Sequence, residues 1–437
     1  MKLWNSKFKK DLLISYLSKA IVIIVGFLQL LLINKYFGVN IYGQLAIIKS
    51  SVGLFSSLLT AKTSESVTRF FKKEELNKNY DRANFVLLVG FIIDFITASL
   101  LLLLIYLSSD FISITFLKNK YLSYDIIVYS FVILITFLKQ TFIGFFQSKE
   151  MFLNIYIVDV IESVIKILFL LYFIFLLKKN DLLCVIYSFL AGSIFSFFFL
   201  ICAFVKYYRK FFLNKIHFDK ILLKEYLNFN IKTFISSTLK VGARNVDNLI
   251  LSYYVNSETV GVFETLKKLF SPLSFILSPF SFITLSKFVL YYEKQNFKLL
   301  YYYIKKVTLG LIVVSLIILM FLFSILKLFL YYQNIICNDD IIVAFIILGI
   351  YYILPVFIWW ARNFIIMYNP SFTIYSNLFL TINSIWIPVF LYKLNYFSGL
   401  ITICLGILIA YIPSWLFVLL VCFNFIKKPK SYFKIKS

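Results

Sequence analysis

Lys19, Lys49 and Lys139 have no acidic residue within four positions, yet each falls inside a run of apolar residues. An ammonium at the centre of a bilayer costs about 2.5–3.5 kcal/mol even on translocon-derived scales, so such residues usually face a bundle interior or a wet cavity. Lys240, Arg244 and Asp247 make one helical face with two cations and one anion, and Arg362 follows Trp359 and Trp360 with no acid nearby. Glu264 serves only one of Lys267 and Lys268 well. Cations gathered from several spans converge on a shared aqueous cavity, and a cavity of that sign attracts polyanions. A diphosphate suits it, because arginine offers paired hydrogen bonds to phosphate oxygens and lysine a mobile point charge.

Other intramembrane charges have partners at helical spacing. Glu162 precedes Lys166 by four positions on the stripe that also holds Asp159, and Lys62, Glu65 and Arg69 repeat that pattern. Neutralised interior ion pairs are the simpler reading for these sets. Lys62, Lys232 and Lys268, near helix ends, have the alternative of reaching out to lipid headgroups. Asp94, Asp159 and Asp247 are the acids whose position suits coupling to an ion gradient.

Catalysis is poorly served. The single histidine, His217, sits in a basic interval, and Ser, Thr and Cys occur without a recognisable base. The five cysteines are scattered with no C-x-x-C pair, so no disulfide framework, metal site or cofactor is expected. There is no Gly-rich phosphate loop. A membrane glycan polymerase would be expected to carry a long outward loop or an intramembrane His/Asp site, and neither is present. An enzyme is therefore not expected.

The elements that hold these charges follow from composition. The chain has 437 residues, 61% hydrophobic and only 15% charged, with a mean hydropathy of +0.90. Soluble domains carry roughly 25% charged residues, and no soluble fold could wet such a surface. The net charge of +24 lies mostly in short clusters between apolar runs, which points to a membrane protein and away from nucleic acid. The run from Leu12 to about Leu32 is too long for a signal h-region and reads as a retained first span.

Runs of about 20 apolar residues fall at 12–34, 42–63, 83–107, 122–147, 152–177 and 182–205, then at 229–252, 259–286, 301–326, 341–366, 371–393 and 397–426. Lysine and arginine concentrate at the two termini and in the second, sixth and eighth connections. Both ends are therefore expected in the cytoplasm. The basic interval 206–225 separates residues 1–205 from residues 226–437, six spans each. The expected fold is an all-α membrane protein of about twelve helices, in two pseudo-symmetric six-helix bundles around a central cavity. An internal match supports the repeat. The stretch from Leu32 to Gly43 aligns without gaps with Ile250 to Gly261, which also places Lys49 on Lys267. Parallel repeats of this kind are a transporter architecture.

The turn Asn34-Lys35-Tyr36-Phe37-Gly38-Val39-Asn40-Ile41-Tyr42-Gly43 and the stretch from Asp247 through Gly261-Val262-Phe263 resemble the Wzx-type polysaccharide flippases. These belong to the multidrug/oligosaccharidyl-lipid/polysaccharide exporter superfamily, which also holds the MATE drug exporters. Lys35 stands where that family more often has arginine, and Asn256 where glycine is common. The resemblance implies a flippase of the bacterial inner membrane. Its cargo would be an undecaprenyl-diphosphate-linked oligosaccharide, an O-antigen or capsule repeat unit for lipopolysaccharide or polysaccharide biosynthesis, with a polysaccharide polymerase and chain-length proteins as partners. It also implies a cation-lined cavity, for which Lys49, Lys139, Lys240, Arg244, Lys267 and Arg362 are the candidates here. A drug exporter on the same fold would present an acidic, apolar cavity instead.

Overall fold

A computed structural model describes residues 6–208, 218–273, 297–361 and 371–427. Thirteen α-helices and no strand occur among the described residues: α1 (Ser6–Leu32), α2 (Val39–Leu59), α3 (Thr63–Leu76), α4 (Tyr80–Thr115), α5 (Ser123–Ser148), α6 (Phe152–Leu171), α7 (Leu182–Tyr208), α8 (Lys220–Tyr254), α9 (Ser257–Leu269), α10 (Phe297–Tyr332), α11 (Asp339–Phe357), α12 (Ser371–Leu394) and α13 (Gly399–Lys427). Ten stretches among the described residues are long and apolar enough to cross a bilayer. Lipid offers backbone groups no partner, so apolar runs of this length satisfy their own amides as helices. The all-α, multi-pass architecture expected from the sequence is the one observed. Of the expected spans, 229–252 is helical within α8; 259–286 begins as α9, and its part beyond residue 273 lies outside the described residues.

The chain divides into two compact units, residues 1–245 and 246–437. In the first, α5 packs against α3, α4 and α7, while α6 lies between α1 and α7. Its core is aromatic: Phe145 meets Phe71 at 5.4 Å and Phe204 at 4.9 Å between ring centroids, both edge-to-face. In the second unit α13 packs on α12 and α11, and α10 on α11. A Cβ on Gly406 of α13 would stand 2.8 Å from Pro388 of α12, so that crossing depends on the missing side chain.

The sequence reading ends the second span at residue 63 and leaves 64–82 as a connection. The structure differs. The helix stops at Leu59, Lys62 takes a left-handed conformation with φ 49°, and α3 starts again at Thr63. Val67, Phe70 and Phe71 are buried on one face of α3. An amphipathic stripe inside a charged segment escapes a search for solid apolar runs. Arg69 lies over the ring of Phe229 at 4.6 Å and that of Phe70 at 5.6 Å, cation–π positions that replace the expected pairing with Glu65, which is exposed.

The two aligned turns are built differently. Residues Ile33–Phe37 form a π-helical turn that closes on Gly38, at φ 94° and ψ 155°, a region that is essentially glycine-only. The aligned residue, Asn256, has φ −96° and caps α9, its side chain accepting from the Thr259 amide at 3.0 Å. Asparagine can replace glycine there because the backbone never enters the glycine-only region. Gly38→Ala is expected to cost about 1–3 kcal/mol and Asn256→Ala about 1 kcal/mol. Thermal unfolding in detergent, with Gly38→Ala the less stable of the two, checks the difference.

Candidate functional site

Glu162 of α6 sits at the centre of a charge cluster inside the first unit. Lys166, one turn along the same helix, donates to its Oε1 at 2.6 Å, the pair expected from the spacing. Lys139 of α5 donates to Oε2 at 2.7 Å and to Ser196 Oγ of α7 at 2.5 Å, and Ser196 in turn donates to Glu162 Oε2 at 3.1 Å. Lys139 is only 4% exposed. The expectation that Lys139 lacks a counter-charge is corrected: the acid is 23 residues away in sequence and comes from the neighbouring helix.

Small residues make this approach possible. Ser188, Gly192 and Ser196 recur every fourth position along α7 and form a low ridge. A Cβ on Gly192 would stand 2.6 Å from Lys166 Cγ and 2.7 Å from the Glu162 carbonyl oxygen. Beside the cluster, Thr136, Lys139, Asp159 and Glu162 line a cavity of about 130 Å³ whose remaining walls are apolar. A polar chamber of that size has room for water. Phe189 of α7 carries two ammonium groups against its ring, Lys49 of α2 at 4.1 Å and Lys166 at 4.9 Å from the centroid. Lys19 is exposed on α1, and its charge reaches Asp159. Three lysines thus act on two acids, with Lys49 sharing the Phe189 ring with one of them.

The second unit holds a cluster of opposite make-up. Lys267 of α9 donates to Asp247 Oδ2 at 2.8 Å and to Glu264 Oε1 at 2.9 Å, and Asn248 Nδ2 donates to the same Glu264 oxygen at 2.7 Å. One lysine here lies between two carboxylates. Lys267 is therefore compensated twice over, and the competition with Lys268 expected for Glu264 is resolved in its favour.

Asp94 of α4 stands apart from both clusters. It is 2% exposed and accepts from Thr63 Oγ1 at 2.5 Å, Thr141 Oγ1 at 2.6 Å and the Thr141 amide at 2.9 Å. Its Thr63 contact pins the start of α3 just past the helix break. The side chains of Lys240 and Arg244 lie outside the described residues, although their backbone is helical within α8; Arg362 lies outside them altogether. Sequence reasoning missed Ser196, Phe189, Thr63, Thr141 and Asn248. The four-residue spacing of Ser188, Gly192 and Ser196 was the available signal for the first of these.

The family of polysaccharide biosynthesis proteins matches residues 8–286, well over half of the chain. The chain belongs to this family. No curated protein sequence matches this family member significantly. Among solved structures it is similar to an inward-facing multidrug resistance MATE family transporter of the MOP superfamily, with TM-score 0.67 and 18% identity over 91% of this chain and 96% of that one. It is also similar to the lipid II flippase MurJ in an inward closed conformation, with TM-score 0.65 and 19% identity over 94% and 87% of the two chains. A MOP superfamily transporter from Pyrococcus furiosus follows at 0.61 and 16%, over 95% and 96%. These likenesses show the fold. This family member is a multi-pass membrane protein built like transporters and flippases.

Proposed function

We propose that this protein is a flippase that moves an undecaprenyl-diphosphate-linked oligosaccharide, an O-antigen or capsule repeat unit, from the cytoplasmic to the outer leaflet of a bacterial inner membrane by alternating access. The observation that carries this reading is the gathering of Lys139 and Lys166 on Glu162, with Lys19 acting on Asp159 and Lys49 beside Lys166 on the Phe189 ring, within membrane-spanning helices. A surplus of cations there suits a diphosphate. Family membership supports a polysaccharide-linked cargo, and the fold supports transport. On this reading Lys49, Lys139, Lys240, Arg244, Lys267 and Arg362 serve the cargo, with Lys19 at the mouth, while Asp94, Asp159 or Asp247 couples transport to an ion gradient. Both termini lie in the cytoplasm, and a polymerase with its chain-length partner receives the product.

Lys49, whose ammonium lies over the Phe189 ring at 4.1 Å, gives a direct test, with thermal unfolding of Lys49→Ala separating a loss of cargo handling from a loss of fold. Loss of one charge-assisted phosphate contact predicts a fall of about tenfold or more in the rate of surface glycan display, with Lys49→Arg retaining most of it. Normal display from equally abundant Lys49→Ala, Arg244→Ala and Arg362→Ala variants sinks the cationic-cavity mechanism. The two carboxylates around Lys267 favour one competing reading, export of an organic cation. A variant with normal display but lost drug resistance would support that reading.

A further inference from the structure

An apolar groove runs between α10 and α11 in the second unit. Leu316, Leu319, Met320 and Phe323 form one wall and Ile346, Ile350, Ile353, Leu354 and Phe357 much of the other, enclosing about 470 Å³. Met320 is 72% exposed and Ile350 47%. Both helices are among the ten stretches long and apolar enough to cross a membrane, and an apolar surface of this kind suits hydrocarbon chains.

Three features show which chain it is shaped for. First, the groove continues along α10 as a single exposed face: Lys306, Gly310, Val313, Ile317 and Met320 follow one another at helical steps of three and four. Second, Gly310 has no atom within 4 Å of where a Cβ would stand. Helix packing does not demand a glycine there, and its absent side chain leaves a notch between the lysine end and the groove. Third, Lys305 and Lys306 are both exposed at the basic end of that face, where they complement an anionic headgroup. The indole Nε1 of Trp359 donates to Thr308 Oγ1 at 3.0 Å beside them and holds the end of α11 against α10.

Length decides between lipids. From Lys306 to Met320 the face extends about 21 Å at 1.5 Å per residue, and one leaflet of hydrocarbon is about 15 Å deep. A phospholipid acyl chain stops near the midplane, whereas a long isoprenoid chain does not. We infer that this face and groove dock the lipid carrier of the cargo, its diphosphate on Lys305 and Lys306 and its polyisoprenoid tail past Gly310 into the groove. The inference rests on the flippase reading and adds a first docking site outside the charge clusters, occupied before the diphosphate reaches them.

The test uses the full-length protein in nanodiscs, with retention of a long-chain polyisoprenyl diphosphate read by native mass spectrometry against phosphatidylglycerol as competitor. The wild type is expected to retain the isoprenoid in preference to the phospholipid, and in preference to geranyl diphosphate, which has the head but not the long tail. Met320→Trp, Ile350→Trp and Gly310→Val, which fill the path, are expected to lose about tenfold in retention, the worth of some two methylenes of buried chain. Phe95→Trp, on an exposed face of α4 in the other unit, is expected to leave it unchanged. Equal retention of geranyl diphosphate or of phosphatidylglycerol by the wild type overturns the proposal without need of any variant. If well-folded groove variants bind as the wild type does, the groove fails while the flippase reading stands. A wild type that retains no polyisoprenyl diphosphate overturns the docking site, and the display assay then judges the flippase reading separately.

Discussion

Replacing Glu162 with glutamine is expected to cost about 3–5 kcal/mol of stability and to abolish glycan display. Adding Lys139→Met to the same chain is expected to return most of the stability but none of the display. Glu162 is the shared counter-charge of Lys139 and Lys166, bonded at 2.7 and 2.6 Å. Glutamine keeps the shape and removes the charge, which leaves two ammonium groups without their shared counter-charge and Asp159 as the remaining acid lining the chamber beside them. Lys139, 4% exposed, cannot turn to water. Methionine fills the volume of the lysine stem without its charge, and replacing a buried ion pair as a unit is often neutral. The readout is thermal unfolding of the purified single and double variants, with surface glycan measured in parallel. Equal stability of wild type and Glu162→Gln would show that the cluster is solvated well enough to need no central acid. Display restored by the double variant would show that its charge has no part in transport.

Lys267→Met is the converse experiment at the other cluster. Its removal leaves Asp247 and Glu264 facing one another without the ammonium that bonds both, at 2.8 and 2.9 Å. A loss of about 3–5 kcal/mol is again expected, and Asp247→Asn combined with Glu264→Gln is expected to offset most of it, because the amides no longer repel. Lys267→Arg should stand between wild type and Lys267→Met, since it keeps the charge on a bulkier planar group. Thermal unfolding again decides. A Lys267→Met protein as stable as its parent would mean that the two carboxylates do not depend on this lysine. The two clusters therefore predict opposite rescues: removal of a cation in the first unit, and removal of anions in the second.

Much of the fold was legible along the chain. Ten of the apolar runs reappear as helices long enough to span a membrane, because lipid-facing length and composition are local properties of a segment. The Glu162–Lys166 pair was legible for the same reason: residues four apart on one helix are neighbours whatever surrounds them. Helix α3 was not, since its buried side consists of Val67, Phe70 and Phe71 set among charges, and burial there depends on what α4 and α5 present to it. Gly144 shows how close that packing is, with Ser64 and Val67 of α3 within 3 Å of where its Cβ would stand. The glycine at position 38 was visible in the sequence as part of a turn that aligns with a second one. Its necessity appears only in the backbone angle it adopts.

The sequence alone determined that this is a many-span helical membrane protein and that cations lie within its apolar runs. Tertiary structure decided the partners of those cations. Lys139 of α5 meets Glu162 of α6 beside Ser196 of α7, a helix that Gly192 lets approach α6 closely, Lys267 is held by two acids at once, and Lys49 and Lys166 share the ring of Phe189. Whether a buried charge is compensated depends on groups a few ångströms away in space, and helices bring those together over sequence distances that no local pattern records.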